Sequence, residues 1–305
     1  MNMKSLIIRT AFVVTLTLAL AISGFAQTRS IEHDFSPFDA IEASNGFKVS
    51  TSASDNYGVK LTVDDALESY VECYVRGGVL HIGLDDKNIP KDIKRQYKGR
   101  NSGDPTLVAI VYMPTLKSLT LNDESEFVNS TNLSGDRFTL TMGGSSKIND
   151  LKIVAKIVSL NLAKSAKLTN ANVTAEGDLT LSTDGKSIVT LDCAAENLIV
   201  SAAGSSEITL NGKIEKNLAA TIASSSKATL AGSAEVLDVN GKGISSRVDA
   251  SGLKVSRGIL SISGASVKVN ASDNLELDLG KGAEVTYTGD PVIKIVKIQN
   301  ASVLR

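Results

Sequence analysis

Residues 119 to 287 repeat at a period of about twenty residues, and that period limits the possible folds more than any other feature. The repeat shows first at a small-residue turn. The turns read Ser125-Glu126-Phe127, Ser146-Lys147-Ile148, Ala166-Lys167-Leu168, Ser187-Ile188-Val189 and Ser206-Glu207-Ile208. They continue as Ser226-Lys227-Ala228, Ser246-Arg247-Val248, Ser266-Val267-Lys268 and Ala283-Glu284-Val285. Just before most of them lies an alternating apolar pair: Leu119/Leu121, Leu140/Met142, Leu160/Leu162, Leu179/Leu181, Val200/Ala202, Ala220/Ile222, Leu260/Ile262 and Leu277/Leu279. Alternation puts both side chains of a pair on one face of a strand. A second turn series keeps the period at Asn129, Asn149, Asn170, Asn211-Gly212, Ala231-Gly232, Asn270 and Thr288-Gly289. A third, polar series runs through Gly135-Asp136, Gly177-Asp178, Glu196-Asn197, Lys216-Asn217 and Asp273-Asn274. Three turns per period predict three short strands per period.

A repeat of this length means a solenoid, a propeller or an array. A propeller blade needs about forty residues. A leucine-rich repeat needs a fixed Leu/Asn consensus and a helical segment, and no 3.6-residue apolar stripe follows the strands here. The reading is therefore all-β: a parallel β-helix, or β-solenoid, expected to be right-handed as coils of this length commonly are. Coils stack at roughly 4.8 Å, so nine of them make a column of roughly 38 Å. The predicted division is a head region at 27–118 and the repeat region, with a C-terminal strand or cap, at 119–305.

Composition agrees with narrow coils. Aromatics are 4%, Trp is absent and there are 24 Gly. The formal net charge is −1. Residues 1–26 read as a secretory signal peptide: Lys4 and Arg9 precede an apolar stretch at 11–22, and Gly24-Phe25-Ala26 supplies small residues for cleavage. Its removal takes two positive charges and no acid, leaving −3. That balance speaks against nucleic-acid partners. No later stretch suggests a transmembrane span, so an exported protein is expected, in the periplasm, on the outer-membrane surface or secreted.

In the head region, candidate strands lie at 46–51, 58–63, 70–75, 79–84 and 106–112, with Gly77-Gly78 as a hairpin turn. Residues 64–68 suggest a short helical turn. A polar loop between Leu84 and Thr106 carries Lys87, Lys91, Lys94, Arg95, Lys98 and Arg100. Lys91, Lys94, Arg95, Lys98 and Arg100 are the candidate binding residues, suited to an acidic sugar or surface. The competing reading is an ordinary solvated charge run.

Several segments occur in a familiar order. These are Phe38-Asp39-Ala40-Ile41, Ser44-Asn45-Gly46-Phe47-Lys48-Val49, residues 57–63 beginning Tyr57-Gly58-Val59, Tyr70-Val71-Glu72, Gly77-Gly78-Val79-Leu80-His81-Ile82 and Met113-Pro114-Thr115-Leu116. Together they resemble the putative auto-transporter adhesin family with a head GIN domain, typical of Bacteroidetes envelopes. The resemblance runs from about residue 35 to the end. It implies a β-helical extracytoplasmic protein with an adhesin-like role, and it carries over no catalytic or binding residue.

Motifs for chemistry are sparse. His33 and His81 have no partner at metal-ligand spacing in the sequence, and no cofactor or metal is expected. Asp64-Asp65 and Asp85-Asp86 are paired acids, but neighbours in a strand point to opposite faces. Cys73 and Cys193 read as two buried free thiols rather than a disulfide. The sequons at Asn129 and Asn132 read as turn residues. Two functions remain. One is a non-enzymatic surface protein that holds a glycan or protein partner on the outer faces of the solenoid. The other is a carbohydrate-active enzyme on a pectate-lyase-like β-helix, which needs acids clustered on one face of adjacent coils. The outward positions Lys147, Lys167, Glu207, Lys227 and Arg247 form a mixed ladder with a basic bias, which favours the first.

Overall fold

The computed structural model describes residues 27–97, 103–128 and 133–304. The signal-peptide segment, Lys98, Arg100, Asn129 and Asn132 lie outside the described residues. The described strands join in one 24-stranded sheet wound into a β-solenoid of about nine turns. Parallel pairing holds it together, each rung bonding to its counterpart about twenty residues later.

The inward columns are read directly from that pairing. On the first face Ile41, Leu119, Leu140, Leu160, Leu181, Val200, Ala220, Val239, Leu260 and Leu277 stack one per coil. Beside them run Ala43, Leu121, Met142, Leu162, Thr183, Ala202, Ile222, Gly241, Ile262 and Leu279. The second face stacks Val49, Phe127, Ile148, Leu168, Val189, Ile208, Ala228, Val248, Val267 and Val285. All of these side chains are buried. The apolar pairs thus mark the core, with two slips. Leu179 pairs with Val158, so the pair beneath Leu160/Leu162 is Leu181/Thr183. Ser266 pairs with the outward Arg247, so the buried small residue of that coil is Ala265.

The corner between these faces has its own ladder. Asp123, Gly144, Lys164, Gly185, Gly204 and Ser224 take left-handed backbone conformations, with φ between 58° and 72°. The first five of their carbonyls each accept an N–H from the next coil, and that of Ser224 accepts the Ser246 hydroxyl at 3.0 Å. Ser165 donates to Gly144 O at 2.8 Å, Ser205 to Gly185 O at 2.6 Å and Ser225 to Gly204 O at 2.9 Å. Two residues on, Ser125, Ser146, Ala166, Ser187, Ser206 and Ser226 are fully buried. Their hydroxyls are partly satisfied within the corner. Thr183 donates to Ser206 Oγ at 3.0 Å, which lies 2.9 Å from Ala203 O and 3.2 Å from Ser226 Oγ. Ser206 and Ser226 therefore occupy equivalent sites one coil apart, as their spacing predicts.

The second turn series is softer than expected. Asn211 and Gly212 lie inside the strand Glu207–Ile214. In later coils Lys227–Lys242, Arg247–Ser263 and Ser266–Leu279 run through that corner as single strands. The bend is absorbed by register shifts, such as that between Thr229 and Ala231, without leaving the ladder. Three strands per period therefore merge into two or one. The third series is a polar corner as expected. Asn197 Nδ2 donates to Asp178 Oδ1 at 3.1 Å, and Asn217 Nδ2 to Asn197 Oδ1 at 3.3 Å.

The head region shares the stack. Ala40–Ala43 lies between Val79–Leu84 and Ser118–Leu121, and Lys48–Ala53 between Leu107–Met113 and Glu126–Val128. Antiparallel strands close this end. Thr28–Asp34 pairs with Gly58–Asp64, which pairs with Leu107–Met113, and Val71–Arg76 pairs with Val79–Leu84. The expected helical turn is a 3-10 turn at Asp65–Tyr70. The polar loop is not all loop, because Lys91–Gln96 is a short helix.

Both cysteines are free. Cys193 is buried, but Cys73 is only half-buried, a departure from the expected pair of buried thiols. They are far apart along the column. Cys73 pairs with Ile82, and Ala43, Leu121, Met142, Leu162 and Thr183 step from there towards the coil of Cys193. Burial raises the Cys73 thiol to about 11 and, with a smaller push from Asp192, the Cys193 thiol to about 12.

Three outcomes follow from this packing. Ile222→Ala removes buried methylenes from a fully enclosed column and should cost about 2–5 kcal/mol in chemical denaturation. Ile222→Asp should cost more, since a carboxylate would sit unpaired among apolar neighbours. The outward Lys227→Ala should stay within about 0.5 kcal/mol. Equal stability of Ile222→Asp and Lys227→Ala would mean the side chain does not point inward.

Gly204→Ala places a Cβ 2.6 Å from Gly185 O at a φ of +72°. It should lower stability by more than about 1 kcal/mol by the same measurement. A neutral result would contradict the stacked corner.

The thiols should react slowly with a disulfide reagent in native protein, and two should appear after denaturation. The native state holds both protons where the unfolded state, with ordinary thiols near 9, loses them. Stability should therefore fall as pH rises above about 9. A mass spectrum showing a Cys73–Cys193 bond would contradict the assignment.

Candidate binding surface

Parallel strands turn alternate side chains outward, so each outer face carries one residue type per rung in straight files. On the second face the file reads Lys48, Glu126, Lys147, Lys167, Ile188, Glu207, Lys227 and Arg247. From Lys147 to Arg247 these side chains are exposed. Lys227 Nζ meets Glu207 Oε1 at 2.9 Å. Lys147, Lys167 and Arg247 reach no carboxylate among the described residues. This is the mixed, basic-leaning ladder anticipated from the turns, and its neighbours are one rung apart.

The polar corner carries a second charged file. Lys117 meets Asp39 at 2.8 Å, Lys156 meets Asp136 at 2.7 Å, and Lys216 pairs with Glu196. A hydrogen bond to Asp39, and then that carboxylate's charge, hold Lys117 above the ordinary lysine value, with smaller contributions from Tyr57 and Asp136. Lys156 is raised in the same way by Asp136, whose own carboxyl is lowered by the bond from Lys156. These charges alternate along the corner and largely satisfy one another. Paired in this way across coils, they present no net charge to a partner.

Three of the basic candidates of the head, Lys91, Lys94 and Arg95, lie among the described residues. Lys91 and Arg95 lie exposed on the Lys91–Gln96 helix. Lys94 is taken up by Asp86 at 3.0 Å. Just after the helix, Tyr97 packs on the core, and burial followed by the charge of Asp64 raises its hydroxyl to about 12. Asp64 is buried and accepts the Thr106 N–H at 3.2 Å, so it secures the far end of this excursion.

The paired acids are also engaged. Asp65 pairs with Arg29, Asp86 with Lys94, and Asp85 accepts from Asn88 Nδ2 at 2.5 Å. One partner escaped the sequence reading. The pairing of Glu42 with His81 across two rungs puts His81 Nδ1 3.2 Å from Glu42 Oε2, with Tyr74 stacked on the imidazole at 4.9 Å. The two residues are 39 positions apart, so only the interleaved head strands reveal the contact. His33 instead sits 5.9 Å from the Phe35 ring. Among the described residues no three His, Cys, Asp or Glu side chains could together hold a metal ion. No helix among them is long and apolar enough to cross a membrane.

This architecture can be set beside known proteins. No curated protein matches the chain. Among solved structures, a putative adhesin from Parabacteroides distasonis is similar at 18% identity and a TM-score of 0.45, with 92% of this chain and 98% of that chain covered. A putative adhesin from Parabacteroides merdae is similar at 18% identity and a TM-score of 0.38, covering 91% and 96%. A putative lipid binding protein from Parabacteroides distasonis is 20% identical, with a TM-score of 0.43 and coverage of 91% and 97%. The model of one family, "Putative auto-transporter adhesin, head GIN domain", matches residues 37–155, 153–217 and 215–291. Those three segments run without a gap from the first head rung into the last coils, and the chain belongs to that family.

Proposed function

We propose that the protein is an exported, non-enzymatic component of the cell envelope that acts like an adhesin. It holds a surface glycan or a protein partner on the outer faces of its solenoid. Its place is the periplasm, the outer-membrane surface or the medium. One observation carries the reading: the exposed file from Lys147 to Arg247 spans several coils, and its Lys147, Lys167 and Arg247 reach no carboxylate among the described residues. A flat, regular face with such a file suits an extended partner that touches many rungs weakly. The family's description as adhesins supports the same reading.

The test is retention on a glycan array and on immobilised envelope fractions, with reducing ends assayed in the supernatant. The protein should be retained and should release no reducing ends. Lys147→Glu combined with Lys167→Glu should weaken retention about tenfold, or about 1.4 kcal/mol, and wild-type retention should fall with added salt. Unchanged retention in the double variant would remove the ladder as the contact. Release of new reducing ends would favour the enzyme on a pectate-lyase-like scaffold instead.

A further inference from the structure

The interleaving of head strands builds a recess that belongs to neither outer file. It opens where the strands Ala40–Ala43 and Ser118–Leu121 begin, beside the Gly77-Gly78 turn, and its volume is about 440 Å3. That lies in the range of small-molecule sites, about 300–1,000 Å3. Asp39, Tyr57 and Lys117 line it, with Pro37 and Pro114 on its rim. These residues are brought together from four separate segments of the chain.

The recess is held in shape before any ligand arrives. Asp39 N–H donates to Gly78 O at 3.1 Å, and Lys117 N–H donates to Asp39 O at 2.8 Å. Phe38 is buried beneath and meets Tyr57 edge-on, with ring centroids 5.3 Å apart and planes at 64°. The Tyr57 backbone is tied in turn, since Phe35 N–H donates to Tyr57 O at 3.0 Å. The prolines fix their own φ angles. A site whose groups are already ordered loses less entropy on binding.

Its chemistry is specific in kind. Asp39 and Lys117 form a pair at 2.8 Å while both side chains stay more than half exposed. Their charges cancel, so neither an anion nor a cation is favoured. A hydroxyl suits both ends at once, because it donates to the carboxylate and accepts from the ammonium. Tyr57 adds an apolar ring with a polar tip, which suits a ligand with one C–H face and one hydroxyl edge. A ligand with those properties is a pyranose.

We propose that this recess binds one sugar residue of a neutral glycan, with Tyr57 under the ring and Asp39 and Lys117 on its hydroxyls. The proposal rests on the reading of the protein as a surface binder and adds a second site, distinct from the Lys147–Arg247 file. The experiment titrates cellohexaose, maltohexaose, mannohexaose and xylohexaose into the protein by calorimetry. It is repeated for Tyr57→Ala, Asp39→Asn and Thr115→Arg, with far-UV circular dichroism as the fold control. Thr115 is exposed on the recess wall, so the arginine fills the space without touching the core. Tyr57→Ala alone could loosen the packing on Phe38; Asp39→Asn and Thr115→Arg keep the test decisive. At least one neutral oligosaccharide should bind wild type. Each variant should bind it about tenfold more weakly or worse, and polygalacturonate should not displace it. Equal binding by wild type, Asp39→Asn and Thr115→Arg would overturn the recess while leaving a glycan-binding protein. No binding of any of the four sugars to wild type would also overturn it, and the envelope-retention experiment would still stand on its own.

Discussion

The structure depends on one constraint: each coil must lie directly on the last, rung over rung, at roughly 4.8 Å. Every inward side chain then packs against its own counterparts above and below. Size must be settled along each column rather than across a broad core. Between Ile222 and Ile262 the column holds Gly241, where an added Cβ would stand 3.0 Å from Ile262 Cδ1. In the strand Glu207–Ile214, Gly212 gives room to Cys193, whose Sγ would lie 3.2 Å from an added Cβ. At these places a small residue in one rung makes room for larger ones in the next, because the rung spacing cannot change. The same spacing forces the left-handed corner residues into a file, each carbonyl receiving a hydrogen bond from the next coil.

That constraint explains what could be read from the sequence. One coil is one repeat, so the period, the all-β class and most core positions were visible in the small-residue turns. The slips have local causes. Thr183 is a hydroxyl residue at an inward position, so alternation pointed to Leu179/Leu181; the hydroxyl is accommodated by Ser206. Ser266 resembled a corner serine because Ala265, the true corner, is equally small. The Asn and Gly residues of the second series read as turns, yet a parallel ladder can bend at a register shift and remain a ladder. The strand Thr28–Asp34 was missed because it is exposed nearly throughout and lacks an apolar file.

The candidate sites were less legible than the fold. The outward ladder repeats with the coils, so it was found along with them. The basic head residues were found as a charge run; of those described, Lys91 and Arg95 face solvent and Lys94 meets Asp86. The recess could not be found at all. Asp39, Tyr57 and Lys117 meet only because Ala40–Ala43 inserts between strands that come much later in the chain. Interleaving of that kind leaves no local pattern. Functionally, the polar corner pairs its charges between neighbouring coils, whereas the second face leaves Lys147, Lys167 and Arg247 to solvent. The division of labour between structural and binding surfaces thus follows from which side chains the stack requires.

The most direct test of coil-on-coil register is a pair of deletions. Removing residues 207–226 joins Ser206 to Lys227, so that Ser206 takes the place of Ser226, its equivalent one full coil of 20 residues on. Every remaining inward side chain keeps its face, so the shortened protein should fold and unfold cooperatively in chemical denaturation. Removing Thr209 alone, within the strand Glu207–Ile214, turns Leu210 from the core to solvent and shifts all pairing beyond it. That protein should lose its cooperative transition. If the single deletion is tolerated as well as the whole coil, or if the whole-coil deletion abolishes folding, register between coils is not what the structure depends on.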